Sequence, residues 1–307
     1  MKKNRWITAG IFSGILGIVV SLALSVYACM PGEARNLPVV PANTPTSLEK
    51  QSNHWFSISE SQYYIREDGK VAHGWQDIGE YRYYFLANGK MHTSWLELDG
   101  DRYYFRENGT MVKGQITLDG VNHFFTSTGK YVLLVNHQIP VPDDYQVELV
   151  NIETIQISQV ALADLQEMLT AARAEGHRCA MSYGYRSYTF QKSIWDRNVN
   201  TNMLAGHDYN TACAITSQTV MTPGHSEHQT GLAIDFDTST QGITQWLHEH
   251  AWEYGFILRY PTGKTHLTGI VYEPWHYRYV GKELAKELYE SGLCMEEYME
   301  MLTAQNP

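Results

Sequence analysis

Residues 223–236 read PGHSEHQTGLAIDF: Pro223-Gly224-His225-Ser226-Glu227-His228, then Gln229-Thr230, then Gly231-Leu232-Ala233-Ile234-Asp235-Phe236. The first half is a loop with a histidine at its end. The second half alternates as a strand does. Leu232, Ile234 and Phe236 fall on one side, and Ala233, Asp235 and Asp237 on the other. A carboxylate in so apolar a strand is costly unless something positive meets it, and a metal ion would do so. Further on, Glu273-Pro274-Trp275-His276 offers another histidine with a carboxylate three residues before it. Pro274 disfavours a regular helix there, so this is no helical HExxH site. Hydrolytic zinc sites need three N or O ligands, one open position, and a carboxylate off the metal that takes a proton. Two histidines and two carboxylates are available for those parts. Taken singly each is a weak signal, since any one of the 13 histidines is more often structural than a ligand. Their combination carries the reading.

Around this stretch the sequence predicts a mixed domain from about Leu134. Ser158 is placed as the cap of a helix running to about Glu175, with Val160, Ala161, Leu165, Met168, Leu169 and Ala172 on one face and Gly176 ending it. A short strand, Cys179–Tyr183, leads into the loop Gly184-Tyr185-Arg186-Ser187. A helical stretch follows through Gln191 and Trp195, and the polar residues 198–218 read as a loop. A strand at Leu232–Asp237, a helix near Ile243–Tyr254 closed by Gly255, a strand at Phe256–Tyr260, a segment through Tyr272–Val280 and an amphipathic helix with Leu284 and Leu288 complete it. Strands and helices intermix without regular βαβ alternation, so the expected class is α+β.

Residues 54–133 are a repeat array with a period of 20. Trp55, Trp75 and Trp95 hold it, with Gln115 in the fourth slot; so do Tyr63-Tyr64, Tyr83-Tyr84, Tyr103-Tyr104 and His123-Phe124, and Gly69, Gly89, Gly109 and Gly129. Such a period signals a solenoid or hairpin array. Each unit reads as an aromatic strand, a turn such as Asn88-Gly89 or Asn108-Gly109, and a second short strand. Rings at regular intervals can hold cations on their faces or stack on sugars; they can also simply fill the hairpin core. Trp75, Tyr83, Tyr84, Trp95, Tyr103 and Tyr104 are the candidate binding rings.

Ahead of the array, residues 30–53 carry Pro31, Pro38, Pro41 and Pro45 among small and polar residues, which is linker composition. Residues 1–29 read as a targeting segment. Lys2, Lys3 and Arg5 precede an apolar run from Ile7 to about Tyr27. A cleaved signal peptide, a lipobox ending on Cys29 and an uncleaved membrane anchor all fit, and all three put the rest of the chain outside the cytoplasm. The chain of 307 residues carries a net charge of −10, which argues against nucleic acid as the main partner. Four cysteines without CxxC spacing argue against a cysteine zinc site; export permits a disulfide without choosing its pair. Ser47-Leu48-Glu49-Lys50 lies in the linker without its usual partner motifs. Gly263-Lys264-Thr265 lacks the earlier glycine of a phosphate loop.

Ser226-x-His228-x-x-Gly231-x-Ala233-x-Asp235, followed by Glu273-x-Trp275-His276, resembles the metallo D,D-carboxypeptidases of vancomycin resistance and their dipeptidase relatives, zinc peptidase family M15. Tyr185-Arg186-Ser187 and Gln191 fit the same pattern, over about residues 136–290. The resemblance implies an α+β zinc peptidase domain, here 134–307, preceded by an all-β solenoid of stacked hairpins. It implies one Zn2+ held by His228, Asp235 and His276. Glu273 is then the general base, Arg186 the cation on the developing oxyanion, and Ser226, Gln191 and Trp275 contacts for the substrate. His225 is expected to line the cleft, and Glu227 not to be a ligand. The implied reaction removes the terminal D-Ala of peptidoglycan stem peptides. The alternatives are L,D-carboxypeptidase or D,D-dipeptidase action, or a wall-binding protein without activity.

Gly74-Trp75-Gln76-Asp77, Tyr83-Tyr84-Phe85 and Asn88-Gly89-Lys90-Met91 resemble the choline-binding and glucan-binding repeats of Gram-positive cell walls. Arg82 and Arg102 stand where choline-binding units often carry Trp, and the fourth unit lacks its Trp. A wall glycan is therefore as good a candidate as a choline-bearing polymer. The expected location is the outer face of the membrane or the wall of a Gram-positive bacterium.

Overall fold

The computed structural model describes residues 52–305, and the targeting segment and linker readings lie outside them. Among the described residues no helix is long and apolar enough to cross a membrane.

The array comprises four hairpins: β1 (His54–Ile58) with β2 (Ser61–Ile65), β3 (Gly74–Ile78) with β4 (Tyr81–Phe85), β5 (Ser94–Leu98) with β6 (Asp101–Phe105), and β7 (Gly114–Leu118) with β8 (Val121–Phe125). β9 (Tyr131–Val132) adds a third strand to the last. The hairpin turns are not the Asn-Gly pairs expected. They are Ser59-Glu60, Asp99-Gly100 and Asp119-Gly120, where both turn residues have positive φ, as a tight twisted hairpin favours, and Gly79-Glu80, where Gly79 does. Asn88-Gly89 and Asn108-Gly109 do turn the chain, but between hairpins. There a single bridge pairs Phe85 with Met91, or Phe105 with Met111, where a second strand was expected. The glycine column has a packing reason. A Cβ on Gly109, at φ 80°, would collide with the side chain of Met91 from the unit before.

The mixed half is built on one antiparallel sheet. It contains β12 (Met181–Tyr183), β13 (Ala233–Phe236), β14 (Phe256–Leu258) and β15 (His276–Tyr279), ordered β12-β13-β15-β14. A separate hairpin, β10 (Leu149–Ile152) with β11 (Ile155–Ser158), precedes it. The side chains sort by strand period. Ile234 and Phe236 of β13 and Tyr277 of β15 join the core with Leu165, Met168, Leu169 and Ala172 of α1 (Leu162–Ala174) and Ile243, Trp246 and Leu247 of α4 (Ile243–His250). Each such apolar side chain taken from water contributes roughly 1.5–3 kcal/mol. The alternate residues Asp235, His276 and Arg278 are left for the other face.

Three expectations need correcting. A 3-10 turn at Gln159–Ala161 precedes α1, Ser158 makes no side-chain cap, and Val160 is exposed. The span 198–218 is mostly helical. α2 (Tyr188–Leu204), capped by Ser187 Oγ accepting from Phe190 N at 3.1 Å, packs against α3 (Tyr209–Thr216). The first half of α2 matches the expected helical stretch; polar composition hid its end and α3, where the buried residues are small or polar, such as Val199, Ala212 and Thr216. Finally, two helices follow α5 (Thr265–Thr268): α6 (Lys282–Ser291) and α7 (Met295–Gln305), where one was expected. α7 packs against β7, where Gln115 N donates to Thr303 Oγ1 at 2.7 Å. Phe124 and Val132 of the array share a core with Leu284, Leu288, Met299 and Leu302. Gly114, at φ 71°, permits this approach; a Cβ there would strike the Thr303 backbone.

Candidate metal centre

Asp235 and His276 are cross-strand partners on β13 and β15. His228 arrives from the short 3-10 turn Glu227–Thr230, which Gly231 closes at φ 72°. The ring atoms are directed by what holds their far sides. His228 Nδ1 lies 2.7 Å from the Gly184 carbonyl, which leaves Nε2 facing Asp235 Oδ1 at 3.3 Å. His276 Nδ1 lies 3.0 Å from the same Oδ1. The three residues offer ligand atoms within 4.8 Å of one another, all buried. Two imidazole nitrogens and one carboxylate oxygen converging this way suit zinc, with room for a fourth position on the cleft side.

The electrostatics favour a cation. Burial pushes the Asp235 carboxyl up, but His228 and His276 overrule it and hold it well below the usual range. Burial pushes the His276 imidazole down. Its hydrogen bond to Asp235 and the nearby carboxylates of Glu227 and Glu273 overrule that and raise it to about 9. An imidazole in that field stabilises added positive charge, whether a proton or a metal. Glu273 is raised to about 7, chiefly by burial. That suits a group that exchanges a proton near neutrality.

A cleft of about 240 Å³ opens on this cluster. Arg186, Gln191, Ser226, His228, Asp235, Glu273, Trp275 and His276 all line it, so the structure brings together every residue of the mixed half given a metal, catalytic or substrate role. Arg186 reaches Asp235 Oδ2 at 2.5 Å, and its guanidinium lies over the Tyr183 ring at 4.8 Å. Its Nε has no hydrogen-bond partner among the described residues. Gln191 donates from Nε2 to the Met221 carbonyl at 2.8 Å, leaving Oε1 unpartnered among the described residues. Trp275 is 39% exposed at the mouth.

His225 is not a lining residue. Its Nδ1 turns to the Asn136 carbonyl at 2.8 Å. Several neighbours were missed. Tyr260 packs its ring on His276 at 4.7 Å, and Arg197, Thr219 and Met221 complete the wall. Behind the cluster lies a buried charge network. Glu227 Oε1 accepts from Arg259 Nε at 2.9 Å and Arg278 Nη1 at 2.8 Å, and Arg259 also pairs with Glu296 at 2.6 Å. For Arg278, the available signal was its period-2 placement with His276. Arg259 and Glu296 carry no such signal.

In the array, each Trp meets the second Tyr of its own unit and the first of the next. Trp75 lies 5.2 Å from Tyr84 and 5.0 Å from Tyr103; Trp95 lies 5.3 Å from Tyr104 and from His123. Tyr83 packs 5.0 Å from Trp55. The Arg82 guanidinium sits over Trp75 at 4.9 Å and that of Arg102 over Trp95 at 4.5 Å.

A buried His/Asp/His cluster on an antiparallel sheet, open on one side to a cleft, defines the class of a metal-centred hydrolase domain. The chain belongs to the D-alanyl-D-alanine carboxypeptidase family VanY, whose model matches residues 154–282. Choline-binding repeats match residues 92–132, and a cell wall binding repeat matches 73–91. The chain is 40% identical over 174 residues to a D-alanyl-D-alanine carboxypeptidase of Enterococcus faecalis, a match covering 55% of this chain and 65% of that protein. It thus spans just under two thirds of that relative's length. Among solved structures, VanYB in complex with D-Ala-D-Ala is 41% identical, with a TM-score of 0.53, over 55% of this chain and 96% of that one. A vancomycin-resistance D,D-pentapeptidase VanY in complex with Zn(II) is also 41% identical, with a TM-score of 0.52, over 54% and 97%.

Proposed function

We propose that this chain is a zinc-dependent D-alanyl-D-alanine carboxypeptidase that removes the terminal D-Ala of peptidoglycan stem peptides. The observation that carries this is the convergence of His228 Nε2 and His276 Nδ1 on Asp235, beside Glu273 and Arg186 in one cleft. His228, Asp235 and His276 would hold the ion. Bound zinc supplies Lewis acidity, polarising a carbonyl and making water more acidic. Glu273, held near neutrality by burial, takes a proton from the attacking water and passes it to the departing amine. Arg186 presents a fixed positive charge where the carbonyl oxygen becomes an oxyanion. Gln191 Oε1 accepts an N–H of the peptide, Ser226 offers a hydroxyl, and Trp275 closes over the substrate tail at the mouth.

The segments assigned are 1–29 for targeting, 30–53 for linkage, 54–133 for wall binding and 134–307 for catalysis. Trp75, Tyr83, Tyr84, Trp95, Tyr103 and Tyr104 form the wall-binding surface. Arg82 and Arg102 cover the ring faces a choline would need, which favours a wall glycan as ligand. Export and retention at the outer face of a Gram-positive membrane would raise the effective substrate concentration. Incubating the full chain with tri-, tetra- and pentapeptide stems and weighing the products tests the activity. Loss of one alanine from pentapeptide alone is expected. Cleavage of tetrapeptide alone would make it an L,D-enzyme, and release of free D-Ala-D-Ala a dipeptidase. For the array, elution from purified walls by free choline would refute the glycan reading.

A further inference from the structure

Glu227 is 1% exposed and does not enter the cleft. Its two oxygens are used unequally. Oε1 takes both arginines, Arg259 Nε at 2.9 Å and Arg278 Nη1 at 2.8 Å. Oε2 has no hydrogen-bond partner among the described residues and faces His276 Nε2 at 3.7 Å. That Nε2 is equally unpartnered among the described residues. Two buried polar atoms facing each other at that range are costly; the gap is too wide for a hydrogen bond, but a proton carried on Nε2 towards Oε2 gives each an electrostatic partner. Charge balance does not require this. Arg259 and Arg278 are already matched by Glu227 and Glu296. The network is also braced from afar. Arg259 reaches Glu296 on α7, and Arg278 Nη2 donates to the Leu133 carbonyl, one residue past β9, at 2.7 Å.

We propose that Glu227 is a positioning residue for His276. Its carboxylate, clamped by Arg259 and Arg278, fixes the tautomer that carries the proton on Nε2 and commits the Nδ1 lone pair to the metal. Tyr260, whose ring lies 4.7 Å from the same imidazole at an angle of 41°, limits its movement. The inference rests on the zinc reading of His228, Asp235 and His276. It extends the site by one layer and ties it to the surface on which the array docks.

The test is zinc affinity of the full chain, by competition with a chromophoric chelator, alongside thermal unfolding of the metal-free protein. Glu227→Gln should weaken zinc binding about 10- to 100-fold, the range for such outer partners. Glu227→Asp keeps a negative charge for both arginines but draws it back from His276 by one methylene. It should weaken zinc in the same direction, and it decides the question if the Gln variant does not fold. Glu296→Gln damages the same network away from His276. It should lower the unfolding temperature while leaving zinc affinity within about threefold. Wild-type zinc affinity in the Glu227 variants, with only their stability reduced, would overturn the proposal and leave the zinc reading standing. So would an equal loss of affinity in Glu296→Gln. A wild-type chain that takes up no zinc would overturn both.

Discussion

In the hairpin array, Trp75 meets Tyr84 in its own unit and Tyr103 in the next. In the cleft, His228, Asp235 and His276 come from a 3-10 turn and two strands, and their far sides are held by Gly184 and Glu227. One region is built from near neighbours repeated at a fixed step, the other from residues distant in the chain and from buried charge. Damage should therefore stay local in the array and spread in the cleft. In a repeat stack, stability is a sum of units and interfaces. A buried charged network has no such divisibility, because removing one member strands the rest.

Substitutions in the two regions test that contrast. The largest effect is expected at Glu273. Glu273→Gln should cut turnover about 10²- to 10⁴-fold while metal stoichiometry stays at wild type, since the residue is not assigned as a ligand. Loss of zinc in that variant would merge two roles kept apart here. Arg186→Met should cost about 10²- to 10³-fold in turnover, with KM moving far less, as read from initial rates. Arg278→Met leaves Glu227 with one cation of two. It should destabilise the fold by about 3–5 kcal/mol in urea titrations, a loss from a residue that does not line the cleft.

The array should answer differently. Trp75→Ala removes one ring from one junction. It should cost about 1–2 kcal/mol and weaken retention on purified walls, with turnover on soluble pentapeptide unchanged. A change in that turnover would show that the two regions are not independent. The smallest effect belongs to Arg82→Ser, which removes an exposed cation–π contact worth about 0.5–1 kcal/mol.

The same contrast explains what could be read in advance. The period of 20 residues put four hairpins at their places because each contact in the array is nearly local. Even so, the hairpin turns fell at Asp99-Gly100 and Asp119-Gly120 rather than at Asn-Gly, since both pairs satisfy turn chemistry. In the mixed half, strand alternation placed Asp235 opposite the core, and motif spacing named the polar residues gathered round it, but not wall residues such as Tyr260, Arg197 and Met221. The end of α2 and the whole of α3 were lost because their buried faces are small and polar, so no hydrophobic period marks them. The network of Glu227, Arg259, Arg278 and Glu296 was illegible for a different reason, even though Arg278 shares a strand face with His276. Four charged residues read as surface until the fold brings them together inside.

The central claim is a zinc centre that releases one amino acid. It is tested most directly by stripping the full chain with a chelator, restoring zinc stoichiometrically, and weighing the products from a stem pentapeptide. No cleavage is expected in the stripped protein, and on restoration loss of a single D-Ala with one zinc bound per chain. Cleavage that survives stripping, or zinc uptake with every stem peptide left intact, would contradict it.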